Sequence, residues 1–202
     1  LDVSRSMWAE DIAPNRLQKA KLLMSKSIDA LGGDRVGIVA YAGSAYPALP
    51  ITTDYAAAKM ALQSASPDQV PSQGTNLAAA LEYAQEYFNP APPAGRFIIV
   101  LTDGEDHEYN DLTLDSEMPV NVMLVGVGTP TGGPIPMGKD RAGTSYKKDQ
   151  NGEVVITRRD EQVLGEIDQK LQAFFVDGNN TESALAEIQE FIENGEKSDI
   201  QE

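Results

Sequence analysis

The sequence contains no cysteine. Disulfides, thiolate metal sites and a cysteine nucleophile are therefore excluded. Histidine occurs once, at His107. A general-base role there would need a nearby nucleophile that the sequence does not show, so a solvated loop histidine is the plainer reading. Cationic residues are scarce. Sixteen Lys and Arg stand against 31 Asp and Glu, for a net charge of -15. Such a surface repels nucleic-acid phosphates and anionic lipid headgroups, and it attracts cations and basic surfaces. It also serves plain solubility. No apolar run reaches the roughly 18 residues that would span a bilayer. No signal peptide is recognisable. A Gly-x-Ser-x-Gly elbow and a Gly-x-x-x-x-Gly-Lys phosphate loop are both missing, which sets aside a serine acyl-transferase and a P-loop NTPase.

What is present is an ordinary globular composition, 41% hydrophobic and 23% charged over 202 residues. That supports one sizeable domain with its own core. Leu17, Ala20, Met24, Ile28 and Leu31 recur at helical spacing and stop at Gly32-Gly33. Residues 36–41 read as a short buried strand, and 46–51 as a proline-interrupted edge. Residues 54–63 read as a helix capped by Thr53 or Asp54, and 77–88 as another. Residues 97–101 are continuously apolar, as befits a strand covered on both faces, and 120–127 resemble them. Residues 128–143 read as a Gly- and Pro-rich surface loop. Asn151-Gly152 between β-prone flanks predicts a hairpin. Residues 161–171 and 182–192 read as helices, with a short extended segment at 174–176 between them. The stretch 107–119 is weakly helical and reads as a loop.

Strands alternating with helices predict an α/β fold with a mostly parallel central sheet, helices on both faces and a small β-hairpin insertion. Ligands of such sheets bind beyond the carboxyl ends of the strands. Three segments fall there: Asp2-Val3-Ser4-Arg5-Ser6, Gln73-Gly74-Thr75-Asn76 and Thr102-Asp103-Gly104. They offer carboxylates and hydroxyls without imidazole or sulfur. Hard oxygen donors of low total charge suit Mg²⁺, with Mn²⁺ or Ca²⁺ as substitutes. Serine or aspartate after a strand can also simply close a turn. Glu105, Asp106, Glu108 and Asp111 form an acidic run without a calcium-loop spacing, which reads as a solvated face. Trp8 reads equally as a partner anchor or as packing over the first helix.

Asp-x-Ser-x-Ser, a distant Thr and a later Asp resemble the metal-ion-dependent adhesion site (MIDAS) of von Willebrand factor A (vWA) domains. The resemblance implies a Rossmann-like vWA fold, with Asp2, Ser4, Ser6, Thr75 and Asp103 as the metal site. It implies direct ligation by Ser4, Ser6 and Thr75. Asp2 and Asp103 would act mainly through waters, with Asp103 able to move inward. The open position would take a carboxylate from a protein partner. Residues 9–16, 33–37, 49–54, 101–107 and 125–129, and the hairpin at 148–158, resemble BatA/BatB aerotolerance-type proteins more closely. That likeness runs from Asp2 to about Ile167. It implies a bacterial inner-membrane protein whose vWA domain faces the periplasm between flanking transmembrane helices. It also implies association with related vWA proteins and a MoxR-type AAA+ ATPase.

The reading therefore expects a single vWA domain over 1–202 with a C-terminal helical extension at about 178–202. It expects a metal-dependent protein-interaction module and not an enzyme. The alternative is a metal-independent scaffold, and a metal-dependent hydrolase lacks an evident base or pocket. One departure stands out. The family's central strand should precede Asp2, yet the chain begins inside the motif: either upstream residues exist in the protein, or the sheet has a gap and the metal loop is poorly fixed, and the site is expected to be weakened or empty.

Overall fold

The computed structural model describes all residues except 73, 89–94, 106–108, 110, 111, 142 and 200–202. In chain order it contains α1 (Arg16–Ala30), β1 (Val36–Tyr41), β2 (Ala45–Thr52), α2 (Tyr55–Ser64), α3 (Leu77–Glu86), β3 (Phe97–Thr102) and β4 (Asn121–Gly126). There follow β5 (Gly133–Pro134), β6 (Pro136–Asp140), β7 (Gly143–Tyr146), β8 (Ile156–Thr157), α4 (Glu161–Leu171), β9 (Phe174–Asp177) and α5 (Thr181–Asp199).

β3, β4 and β9 form a parallel sheet in that order. β1 and β2 pair antiparallel. Alternation along β4 explains its uninterrupted apolar run. Met123 and Val125 enter one core cluster with Leu17, Ala20 and Leu23 of α1 and Ala184 and Ile188 of α5. Val122 and Leu124 enter a second with Leu77 and Leu81 of α3 and Leu164 and Ile167 of α4. A strand clothed on both faces has no solvent side on which to place polar residues. The C-terminal helix is thus a core element through Ala184 and Ile188.

Helix starts follow their caps. The side chains of Asn15, Asp54, Asn76 and Asp160 accept the backbone N–H of Gln18, Ala57, Ala79 and Val163. Asn15 thereby starts α1 at Arg16, and Asn76, next to Thr75, starts α3 at Leu77.

Among the described residues, the backbone hydrogen bonds that link β1 to β3 run through the first residues of the chain. Val3 N donates to Tyr41 O at 2.8 Å, Tyr41 N to Leu1 O at 3.0 Å, and Asp2 N to Leu101 O at 2.9 Å. Asp2 thus bridges Tyr41 in parallel fashion. Further along, both strands line a cleft of about 720 Å³ whose walls include Ile38, Ile98, Val100, Leu81 and Phe88. Among the described residues, the link between these two strands is made by Leu1, Asp2 and Val3. Their backbone groups bond to both neighbouring strands, and Asp2 and Val3 are fully buried.

Residues 128–143, expected as a loop, instead contribute β5 and β6. β5 pairs with β8, and β6 with β7. Two-residue strands and a Pro136-x-Gly138 strand carry no alternation for a sequence reading to detect. The hairpin predicted at Asn151-Gly152 is present, with Asp149 N donating to Glu153 O at 2.9 Å and Lys148 bridging Val154. Residues 112–114, within the stretch read as a loop, have no helical or strand structure.

Candidate metal centre

The Asp2-to-Ser6 segment leaves the sheet and turns at once into a short 3₁₀ helix, Arg5–Trp8. Asp2 Oδ1 accepts Ser4 N at 2.8 Å, and Asp2 Oδ2 accepts the Thr102 hydroxyl at 2.7 Å. The Ser4 and Ser6 hydroxyls lie 2.8 Å apart. This is the geometry that Asp-x-Ser-x-Ser requires, with alternate side chains gathered on one side of a tight loop. Asp103 follows Thr102 directly. The turn after it needs Gly104, whose φ is +81° and whose added Cβ would lie 2.7 Å from Leu164 Cγ and 2.8 Å from Asp160 O.

Thr75 arrives from a separate loop. Asn76 N donates to Ala42 O at 2.7 Å and Gly43 N to Ser72 O at 3.2 Å, which fastens that loop to the turn after β1. All five predicted residues are buried: Asp2 and Asp103 completely, Ser4, Ser6 and Thr75 to within 8% exposure. Among the described residues no group of three or more Asp, Glu or His gathers as a metal cluster. The donor set here is two carboxylates and three hydroxyls, which fits a hard, largely hydrated divalent ion better than a multi-carboxylate calcium cage.

A residue without an assigned role in the sequence reading dominates the electrostatics. Arg16 is fully buried. Its Nη1 donates to Asp103 Oδ2 at 2.8 Å and to Thr157 Oγ1 at 3.2 Å. Nε and Nη2 grip both oxygens of Asp11 at 2.8 and 2.9 Å, and Nη2 also reaches Thr157 O at 3.0 Å. Asp11 Oδ2 accepts in addition from Thr129 N and Oγ1. The Asp103 carboxylate implied to be movable is therefore tied on one oxygen by a guanidinium, while the other accepts Glu105 N at 3.2 Å. Asp11 and Arg16 both lie in the 9–16 stretch that carried the BatA/BatB likeness. An acid and a base five residues apart just beyond the motif was the signal available.

Burial, then the charge of Asp103, pushes the Asp2 pKa from 3.8 up to about 7, against the pull of its Ser4 and Thr102 hydrogen bonds. Burial also works to raise Asp11, but hydrogen bonds from Arg16 and Thr129 and the Arg16 charge outweigh it and leave it lowered. Glu105 is raised, chiefly by burial. Since folded Asp2 holds its proton more tightly than the unfolded chain does, its contribution to stability falls as pH rises from 3.8 to about 7. Thermal unfolding in EDTA is expected to show a falling midpoint across that window, and Mg²⁺ to remove most of the fall. A flat EDTA profile contradicts this.

Trp8 is half-buried and packs on the core cluster containing Val3 and Met7, in keeping with the packing reading. His107 and the acidic residues Asp106, Glu108 and Asp111 lie outside the described residues.

Comparison with known proteins agrees with this layout. A family model described as a von Willebrand factor type A domain matches residues 1–105. The chain belongs to that family. Within it, the domain is of the BatB type. It matches the structure of BatB from Bacteroides thetaiotaomicron with a TM-score of 0.86 and 39% identity, over 97% of this chain and 96% of that one. An aerotolerance-related membrane protein from Bacteroides fragilis gives 0.85 and 38%, over 96% of both chains. A UPF0353 protein of Mycolicibacterium vanbaalenii is 29% identical over 148 residues, 65% of this chain and 44% of its own length. The chain thus spans less than half of that curated relative. A fold-level likeness, at 18% identity and a TM-score of 0.58 over 97% of this chain and 43% of that one, is to mussel byssus proximal thread matrix protein 1, described with a zinc-occupied MIDAS motif. Among the described residues no helix is long and apolar enough to cross a membrane.

Proposed function

We propose that this domain binds a protein partner through a divalent ion held by Asp2, Ser4, Ser6, Thr75 and Asp103. Mg²⁺ is the favoured ion, with Mn²⁺ and Ca²⁺ as alternatives, and an acidic side chain of the partner completes the site. The observation that carries this reading is the pair of fully buried aspartates with the Ser4 and Ser6 hydroxyls paired in the loop that Asp2 opens, Thr75 being buried on the loop fastened to the turn after β1. Bound there, the ion supplies an open Lewis-acidic position for a carboxylate. The protein's own part is positional. The bonds from Ser4 N and Thr102 fix Asp2, and Arg16 and Glu105 N fix Asp103. The serine hydroxyls, hydrogen-bonded to each other, keep lone pairs free for an incoming cation. Nothing in this arrangement requires catalysis, and we read the domain as a non-enzyme.

By likeness to BatB and the aerotolerance-related membrane protein, the domain serves a stress- or aerotolerance-linked assembly at the bacterial inner membrane. Its anchors are flanking helices and it faces the periplasm. Related vWA proteins and a MoxR-type AAA+ ATPase system are the partners to test, and no nucleic acid is expected. Partner binding is expected to vanish in EDTA and return with Mg²⁺. Affinity unchanged by EDTA sinks the metal-dependent reading. It would favour the scaffold alternative acting through the C-terminal helix at 182–192, where Phe191 stacks on exposed Phe174 of β9.

A further inference from the structure

The charge of this chain is unevenly placed. The arm between Thr129 and Asp160 holds six of the 16 Lys and Arg residues but only four of the 31 Asp and Glu. The arm is net positive on a chain of net charge -15. Lys139, Arg141, Lys147, Lys148 and Arg158 are all exposed. None of the five is in an ion pair among the described residues, whereas Arg159 is paired with Asp177 and Glu161. Exposed Met137, Val154 and Ile156 lie among them, so the surface mixes cations with apolar side chains.

The arm is fastened to the metal centre at both roots. At its start, Thr129 bonds Asp11 through its N–H and its hydroxyl. At its end, Thr157 receives two bonds from Arg16, the same guanidinium that holds Asp103. Arg158 N donates to Glu105 Oε1 at 3.3 Å, and Asp160 N donates to Asp103 O at 3.0 Å. The roots cross so closely that a Cβ on Gly132 would lie 2.1 Å from Thr157 O. Arg158 is thus an exposed cation whose backbone touches the residue two positions beyond Asp103.

We propose that this arm is the partner-reading surface of the domain, and that the partner segment it reads is acidic over several residues, not at one carboxylate alone. This rests on the metal-dependent reading above. A partner that brings a carboxylate to the ion must approach a strongly negative domain, and repulsion slows that encounter. A local positive surface bolted beside the site reverses the field where the segment lands, raising the association rate in a salt-dependent way. Neighbouring acidic side chains then lie over Lys147, Lys148 and Arg158, while one enters the site.

The test uses two labelled 12-residue peptides, one with six Glu alternating with Gly and one with a single Glu, followed by fluorescence anisotropy in Mg²⁺. The expected result is binding of the six-Glu peptide at least about tenfold tighter than the single-Glu peptide. The triple variant K147E/K148E/R158E, all at exposed positions, is expected to lose about tenfold in association rate and to flatten the salt dependence. Its Mg²⁺ affinity by calorimetry stays within about twofold of the parent. Equal binding of both peptides, or a triple variant that binds like the parent, overturns the proposal. So does binding of phosphatidylserine vesicles in EDTA that the triple change abolishes while peptide binding is spared. If the parent binds the six-Glu peptide equally in EDTA and the triple variant does not, the arm stands and the metal reading falls.

Discussion

Asp103→Ala is expected to weaken Mg²⁺ binding by about 100-fold, the upper range for losing a group that acts on a metal through an intervening water or ligand. It should leave the fold in place. The reason lies in how Arg16 is shared. Without Asp103, the guanidinium keeps both bonds to Asp11 and its bond to Thr157 O. No buried charge is stranded, so the usual penalty for breaking a buried pair is largely avoided. Removing the Asp103 charge also relieves one cause of the raised Asp2 pKa. The variant should therefore show a shallower loss of stability with rising pH in EDTA than the parent. Calorimetric titration and thermal unfolding read both effects. Retained Mg²⁺ affinity, or collapse of the fold, contradicts the assignment.

Arg16→Met is expected to do the opposite. It strands Asp11 and Asp103, whose side chains are buried to within 2% exposure. Breaking a buried charge pair in this way costs roughly 3–5 kcal/mol, which for a domain of this size lowers the unfolding midpoint by roughly 10 °C. Yet Mg²⁺ should bind the folded variant about tenfold more tightly, because a fixed positive charge next to Asp103 no longer opposes the cation. The midpoint gained on adding Mg²⁺ should accordingly exceed that of the parent. Arg16→Lys, which keeps a charge but not the fork, should stay near parental Mg²⁺ affinity while losing stability. Mg²⁺ affinity reduced in Arg16→Met, with folding verified by circular dichroism, would show that Arg16 helps the ion by orienting Asp103 and does not compete with it.

The contrast between these two residues marks what the sequence could and could not convey. The placement of Asp2, Ser4, Ser6, Thr75 and Asp103 near strand ends and helix starts was legible because local signals are strong there, while their grouping as one metal site came from the family resemblance. The apolar run of β3 places Asp103, and the helix start after Asn76 places Thr75, without reference to distant parts of the chain. Arg16 reads locally as an ordinary first-turn helix residue. Its meaning comes from Thr157, 141 positions away, and Asp103, 87 away. No periodicity records such contacts. The arm was half-legible for a related reason. Asn151-Gly152 announces its own turn, whereas β5 and β8 are two residues each and exist only by pairing with one another. How the metal loop is held was not legible either, because it rests on backbone bonds between distant segments. Leu1 to Val3 are few, but their backbone groups bond to Tyr41 and Leu101 on both sides.

The two buried aspartates and three hydroxyls are proposed to hold a single divalent ion. Calorimetric titration of the folded chain with Mg²⁺, repeated with Mn²⁺ and Ca²⁺, tests this proposal most directly. The expected result is saturable binding of one ion, weakened about 100-fold by Asp103→Ala. A folded chain that takes up none of the three ions would contradict it.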